Sequence, residues 1–454
     1  MKRVKSVAAV INPDLLKPGS RIYASGNAAT PQVFFRRLCV DEAIRDIDLI
    51  GVLYLGAVGD LFSEANCRRI TQRIIFNSHH TREAVNKGWA KYQLMHLGDI
   101  PTQVREYLKP DVALISVAGP DNGGNYSLGT TVEGVMAAVE TVHAQGGLVI
   151  AERNARMPFV LGDTVPADWI DYLLDTDYEL PASPVQPPDE LASRIGRIIA
   201  ERFVSDGATL QYGIGQVPEA VTAAILDKGV RDLGIHTELF ADAMQRLVEA
   251  GAVSNRFTTT RHKFSIATIF LSADAEGYDW LDYNSSVQSR PSDYTNNILN
   301  IAAQPKMVAI NSAIGVDLHG NIWADSMLAR NIYSGVGGQC DFIRGANLSP
   351  GGVPIIAFKS TTAKGISKVV DMCPEGITTT AIAADPVVIV TENGALDPRG
   401  LSIGERAVGI AHLAADDLKE TLLKKVYDSH EFHHPWSAIT GGVPKGFIPF
   451  DAVG

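Results

Sequence analysis

Apolar runs alternate with amphipathic stretches along almost the whole chain. Runs of four to eight residues predict strands at 112–119, 147–152, 208–213, 265–271, 307–311, 353–358 and 386–391. These runs are continuous rather than alternating, as expected for strands covered on both faces. Helical spacing falls between them, at 129–144, 188–205, 218–228, 238–250 and 403–425. In the fourth of these, Phe240, Met244, Leu247 and Val248 share one face, and Gly251 follows as a C-cap. Strands alternating with helices predict an α/β architecture.

The pattern breaks at "LPASPVQPPDEL" (180–191), where four prolines in twelve residues can continue neither a strand nor a helix. The break predicts two domains, 1–183 and 184–454, a division that 454 residues already suggest. A weak echo links the halves. "GPDNGGNYSLG" (119–129) and "VDLHGNIWADS" (316–326) each follow a predicted strand and carry Asp, then Gly-Asn, then a small polar residue. Either the halves are related or tight turns have simply reused the same residues.

Composition narrows the class. Hydrophobic residues make up 46% and charged residues 20%, which describes a globular protein. A net charge of −11 lacks the basic footprint of a nucleic-acid binder. Cys39, Cys67, Cys340 and Cys373 form no Cys-x-x-Cys pair, so neither a zinc site nor a disulfide framework is expected. No metal-ligand constellation and no membrane-length apolar run appears, and the basic Met1–Ser6 has no signal-peptide core behind it. A cytoplasmic protein without metal or redox cofactor is the expectation.

Two segments carry candidate chemistry. In "LQYGIGQVPEAV" (210–221) a strand turns at Gly213-Ile214-Gly215 into a helix with Pro218 in its first turn. Glycine there permits close backbone approach to a ligand, and free helix N-terminal amides attract anions. A dinucleotide site, with Glu238 as its ribose acid, needs a third glycine where Pro218 stands. A dinucleotide site, another ligand loop and a purely structural turn all remain open on local spacing. In "LGIHTELFADAM" (233–244) Glu238 follows a strand and is expected at the N-terminus of helix 238–250, where the dipole favours its ionised form. That places it as a nucleophile or simply as a stabilising first-turn acid.

"YSGVGGQCDFIRGA" (333–346) puts three glycines in four positions, which suits either an oxyanion-binding backbone or a turn. "AFKSTTAKG" (357–365) offers Lys359 and Lys364 to a phosphate.

Taken as an ordered set, these segments resemble the acetyl-CoA hydrolase/transferase family, and within it the 4-hydroxybutyrate or butyrate CoA-transferase-like proteins. The matching pieces also include "AERNARMP" with "GDT" (151–164), "SDYTNN", "INSAIGVDLHGNI" and "IVTENGALDPRGLSIGERA". The resemblance implies two tandem open α/β domains of the CoA-transferase type, with the active site between them. It implies ping-pong transfer of coenzyme A between short-chain acids, and a homo-oligomer, dimer or tetramer. Glu238 matches the family's catalytic glutamate. Gly213, Ile214, Gly215, Gln216 and Val217 match the coenzyme A-binding loop. Gly335, Val336, Gly337 and Gly338 match the glycine-rich lining, with Val336 and Gly337 on the substrate side. Asn311, Asn331 and Lys359 align with coenzyme A contacts, and Asn296 lies near the reacting centre.

Three features depart from the family pattern. Gly315 stands where related sequences carry a larger or polar residue, which would enlarge the acyl pocket or do nothing. The stretches 23–32 and 54–66 match loosely, which leaves room for another acid such as itaconate, its second carboxylate on Arg153 or Arg156 unless these have only a surface role. Glu392, in "TENG", mimics the nucleophile segment of the related 3-oxoacid CoA-transferases. An acyl-CoA hydrolase, a nicotinamide-dependent oxidoreductase and a non-catalytic acyl-CoA sensor are the alternative functions.

Overall fold

The computed structural model describes residues 1–259, 264–328, 331–432 and 442–453. An eight-stranded, wholly parallel sheet gathers Lys2–Val4, Tyr172–Thr176, Leu148–Asn154, Val112–Val117, Arg21–Ala24, Ile47–Val52, Ile70–Phe76 and Lys91–Tyr92, in that spatial order. A seven-stranded sheet runs Gly234–Ile235, Thr209–Tyr212, Met307–Asn311, Val353–Ala357, Val388–Thr391, Gly394–Leu396 and Phe447–Pro449. Its first five strands pair in parallel, and its last two are added by antiparallel pairing. The continuous apolar runs are explained by burial: Val112–Val117 and Val388–Thr391 are buried at every position.

The two sheets share a plan. Numbered along the chain, Arg21–Ala24, Ile47–Val52, Val112–Val117, Leu148–Asn154 and Tyr172–Thr176 lie in the spatial order 2-1-3-4-5. Thr209–Tyr212, Gly234–Ile235, Met307–Asn311, Val353–Ala357 and Val388–Thr391 repeat that order. In each sheet the topological switch point lies between the first and third of these strands, beyond their C-terminal ends. The sequence echo falls just after the third strand of each set. Asp121 accepts the Asn125 amide at 2.8 Å, and Asp317 accepts the Asn321 amide at 2.8 Å. Turn chemistry recurs, and it recurs at equivalent places in the two sheets.

Three predicted helices are cut by tertiary demands. Helix 129–144 begins only at Val135, because Thr130–Val132 exchange backbone hydrogen bonds with Thr268 and Phe270. Helix 403–425 is two helices, Ile403–His412 and Asp416–Asp428. The carbonyls of Leu413 and Ala414 turn away to Thr391 Oγ1 and Asn393 Nδ2. The third cut changes the site. Helix 238–250 forms only over Asp242–Glu249, because Leu239–Phe240 pairs in parallel with Ile269–Phe270. The run 265–271 is correspondingly split, its first part, Ser265–Ala267, pairing with Val287–Ser289.

Candidate active site

Glu238 does not sit at a helix N-terminus. Its carbonyl accepts the amides of Thr268 at 3.2 Å and Ile269 at 3.0 Å, which fixes the segment as extended chain. The expectation of a dipole-favoured, readily ionised carboxylate therefore fails. Burial instead pushes the Glu238 carboxyl up, against hydrogen bonds from the Asn296 side chain and the Gly338 backbone N–H that pull it down. Asn296 Nδ2 donates to Glu238 Oε2 at 2.9 Å, and the Thr295 hydroxyl donates to Asn296 Oδ1 at 2.8 Å. Upstream, His236 Nε2 lies 2.8 Å from the Thr295 carbonyl, and burial pushes that imidazole down to about 4, so it is neutral.

Glu238 lines a cleft of about 710 Å³ at the switch point of the second sheet. Gly213, Ile214, Gly215, Gln216, Val217, Asn311, Gly335, Val336, Gly337, Gly338 and Lys359 line the same cleft. The corner follows strand Thr209–Tyr212, and Gly215 adopts φ 122° before helix Gln216–Lys228, a conformation closed to most side chains. The glycine run is braced by the first half of the chain: Leu97 N–H donates to the Gly337 carbonyl at 3.0 Å and Arg82 Nε to the Tyr333 carbonyl at 2.6 Å. A Cβ on Gly338 would lie 2.0 Å from both Asn296 Nδ2 and Glu238 Oε2, so only glycine lets this backbone reach the carboxylate.

Other expected residues lie elsewhere. Asn331 is exposed on the hairpin Asn331–Ile332 and is not part of the lining. Lys364 is exposed, outside the cleft. Arg153 pairs with Asp175 at 2.6 Å and Arg156 with Asp177 at 2.9 Å, and neither lines the cleft. Gly315 packs under Trp323, where a Cβ would meet the indole at 2.2 Å; the small residue makes room for that ring and not for the cleft. Glu392 is buried outside the lining, accepting the Ser360 N–H at 2.9 Å and the Ser360 hydroxyl.

The loosely matching stretches 23–32 and 54–66 hold a buried polar group. Tyr23 OH donates to Glu133 Oε2 at 3.0 Å, and burial, with a smaller push from the Glu238 charge, raises Glu133 to about 7. Asn27 is fully buried beside Tyr54.

Residues 1–184 match the acetyl-CoA hydrolase/transferase N-terminal domain, and residues 274–426 match the C-terminal domain of the same family. The 4-hydroxybutyrate coenzyme A transferase of Clostridium kluyveri is 36% identical over 84% of this chain and 87% of its own. The chain belongs to the acetyl-CoA hydrolase/transferase family. A succinyl-CoA:acetate/propanoyl-CoA:succinate CoA transferase of Fasciola hepatica is 32% identical, covering 91% of this chain and 86% of its own. RipA from Yersinia pestis superposes with a TM-score of 0.87 at 28% identity, over 94% of this chain and 98% of that one. The stretch between the two matched domains, 185–273, is the one that holds the glycine corner and Glu238.

Two residues of this family member escaped the sequence reading. Lys368 lines the cleft over the Phe358 ring, 5.0 Å from its centroid, and burial pushes its amine down to about 8. It forms no ion pair among the described residues, whereas Lys359 is held by Asp189 at 2.5 Å and Gln216 at 2.7 Å. Asp341, on helix Gln339–Leu348, lies behind Asn296. Lys368 stands in no motif, and Asp341, although it lies within the glycine-rich segment 333–346, is brought to Asn296 only by the fold. No helix among the described residues is long and apolar enough to cross a membrane.

Proposed function

We propose that this protein is an acyl-CoA:carboxylate CoA-transferase for short-chain acids, with Glu238 as its nucleophile. The observation that carries the reading is Glu238 in the wall of the cleft, held by the Asn296 amide and the Gly338 N–H. The Glu238 carboxylate attacks the thioester carbonyl; the C–S bond breaks, coenzyme A leaves as thiolate, and an acyl-glutamyl anhydride remains. The thiolate then attacks the glutamyl carbonyl and the donor acid departs as carboxylate, leaving a glutamyl-CoA thioester. The acceptor acid reverses the steps. Covalent relay splits one hard exchange into several easier ones. N–H donors fixed beside the carboxylate stabilise each tetrahedral oxyanion, which a ground-state carboxylate also engages.

Gly213–Val217, Asn311, Gly335, Gly338 and Lys359 take the coenzyme A portion, and Asn296, Val336 and Gly337 face the acyl carbon. Asn331 is left out of that set because it is exposed and outside the lining, whereas Asn296, also outside the lining, reaches Glu238 directly. Among the described residues the lining holds no arginine, and Arg153 and Arg156 are committed to acidic partners. Monocarboxylic acids of the 4-hydroxybutyrate, butyrate and acetate kind are the substrates we favour over itaconate. On the family resemblance we place the protein in the cytoplasm as a homo-oligomer, with its domain boundary near residue 183.

The test is direct. Incubation with butyryl-CoA is expected to attach coenzyme A to a peptide within 233–250, seen by mass spectrometry, and acetate is expected to discharge it far faster than water. Attachment at Glu392 overturns the site, and discharge by water alone makes the protein a hydrolase.

Asn296→Ala tests the first support of the carboxylate. Its hydrogen bond lowers the Glu238 proton affinity, so its loss raises it. The acid limb of the kcat/KM profile is expected to move to higher pH, with kcat down about 10²- to 10³-fold for a lost oxyanion donor. An unmoved acid limb excludes the role.

A further inference from the structure

A second carboxyl stands behind Glu238. Asp341 is 7% exposed, and its Oδ2 accepts the Gly98 N–H at 3.2 Å. Asn296 Nδ2 lies between the two acids, 2.9 Å from Glu238 Oε2 and 3.4 Å from Asp341 Oδ2. An amide nitrogen carries two hydrogens, so it can serve both, and the Thr295 hydroxyl on Asn296 Oδ1 keeps that end of the amide facing them. His96, on the segment packed against the site, and Glu238 are the titratable groups that act on Asp341. Glu133, fully buried, senses Glu238 in turn. No lysine or arginine forms an ion pair with any of the three acids among the described residues. Two carboxylates sharing one amide and no ion-paired cation disfavour each other's ionisation.

We propose that Asp341 is a positioning residue that keeps one negative charge on the Glu238–Asp341 pair throughout the reaction, acting through the Asn296 amide. The inference rests on the reading of Glu238 as nucleophile. In the free enzyme Glu238 is the carboxylate and Asp341 keeps its proton, as burial and the Glu238 charge both favour. Conversion of Glu238 to the glutamyl thioester removes its charge. Asp341 then loses its like-charged neighbour, its O–H bond breaks, and water takes the proton. Asn296 Nδ2 shifts its stronger bond to the new carboxylate and remains beside the reacting carbonyl. When the acceptor acid restores the Glu238 carboxylate, Asp341 takes a proton back, so a full turnover is proton-neutral.

The linkage has a definite sign. The intermediate holds fewer protons than the free enzyme, so rising pH favours it, by up to about tenfold per unit for a one-proton change. The experiment measures the equilibrium fraction of glutamyl-CoA on peptide 233–250 at a fixed butyryl-CoA to butyrate ratio between pH 5.5 and 8.5. Proton release is followed in parallel with an indicator dye in weak buffer. The wild-type protein is expected to show a thioester fraction that climbs with pH, with up to one proton released per thioester. Asp341→Asn is expected to lose most of both signals, Asp341→Glu to restore them, and any remainder to disappear with added Glu133→Gln. A pH-independent wild-type thioester, or an Asp341→Asn protein with full proton yield, overturns the proposal and leaves Glu238 as nucleophile. Absence of coenzyme A from 233–250 overturns both. Should Asp341→Asn not fold, the wild-type slope and proton yield decide alone.

Discussion

Glu238→Gln is expected to lower transfer from acyl-CoA to acetate by more than about 10⁴-fold, the order seen when a covalent nucleophile is removed. Coenzyme A attachment within 233–250 is expected to vanish, and the protein to stay folded. The substitution keeps the size of the side chain and leaves an acceptor for Asn296 Nδ2 and the Gly338 N–H. It also removes a charge from a desolvated site, which ordinarily favours folding. Burial raises the folded-state proton affinity of Glu238, so between the unfolded and folded values the native state holds more protons. Native stability contributed by this group therefore falls as pH rises through that window, and the Gln variant escapes the fall. Its thermal midpoint is expected to match the wild type near pH 4 and to equal or exceed it at pH 8. Glu392→Gln gives the contrast. It weakens the Ser360 contacts outside the cleft and costs stability, while attachment at 233–250 persists. Transfer surviving in Glu238→Gln, or vanishing from a folded Glu392→Gln, reverses the assignment.

How far the sequence announced this site depends on the range of the interaction concerned. Strands whose environment is uniform, such as Val112–Val117 and Val388–Thr391, are visible as apolar runs because every position is buried. Their hydrogen-bonding partners are not, and it was a partner strand that changed Glu238. Pairing of Leu239–Phe240 with Ile269–Phe270 replaced the helical turn that local spacing favours. A carboxylate expected to gain from a helix dipole became one that is raised by burial. The glycine corner shows the same limit. Gly215 needs its positive φ whichever ligand the loop meets, so local sequence left a dinucleotide site, another ligand loop and a plain turn open. The ordered set of family segments, not local spacing, carries the coenzyme A reading proposed for this loop. Lys368 and Asp341 were invisible because a lysine beside an aromatic ring, or an acid behind an amide, has no one-dimensional signature.

The second large effect is expected at a residue with no side chain. In Gly338→Ala the added methyl would start 2.0 Å from Glu238 Oε2 and 2.0 Å from Asn296 Nδ2, far inside any tolerated contact. Backbone movement is restrained because Gly338 leads directly into helix Gln339–Leu348 and the neighbouring Gly337 carbonyl is held by Leu97 N–H at 3.0 Å. The two side chains must move instead, breaking the 2.9 Å hydrogen bond between them and the Gly338 N–H contact to the carboxylate. Overpacking of this kind costs about 1–3 kcal/mol of stability. Loss of one fixed oxyanion donor alone lowers kcat by about 10²–10³-fold, and displacement of the nucleophile adds to that. Transfer is therefore expected to fall by at least about 10³-fold in a protein that still melts cooperatively. Binding of coenzyme A, followed by calorimetry, is expected to weaken far less, since Gly213–Val217 and Lys359 are untouched. Pairing the change with Asn296→Ala removes one of the two collisions, so the double variant is expected to be more stable than additive losses predict. Gly338→Ala at wild-type activity, or strict additivity in the double variant, is incompatible with a backbone that has to pass this close to Glu238.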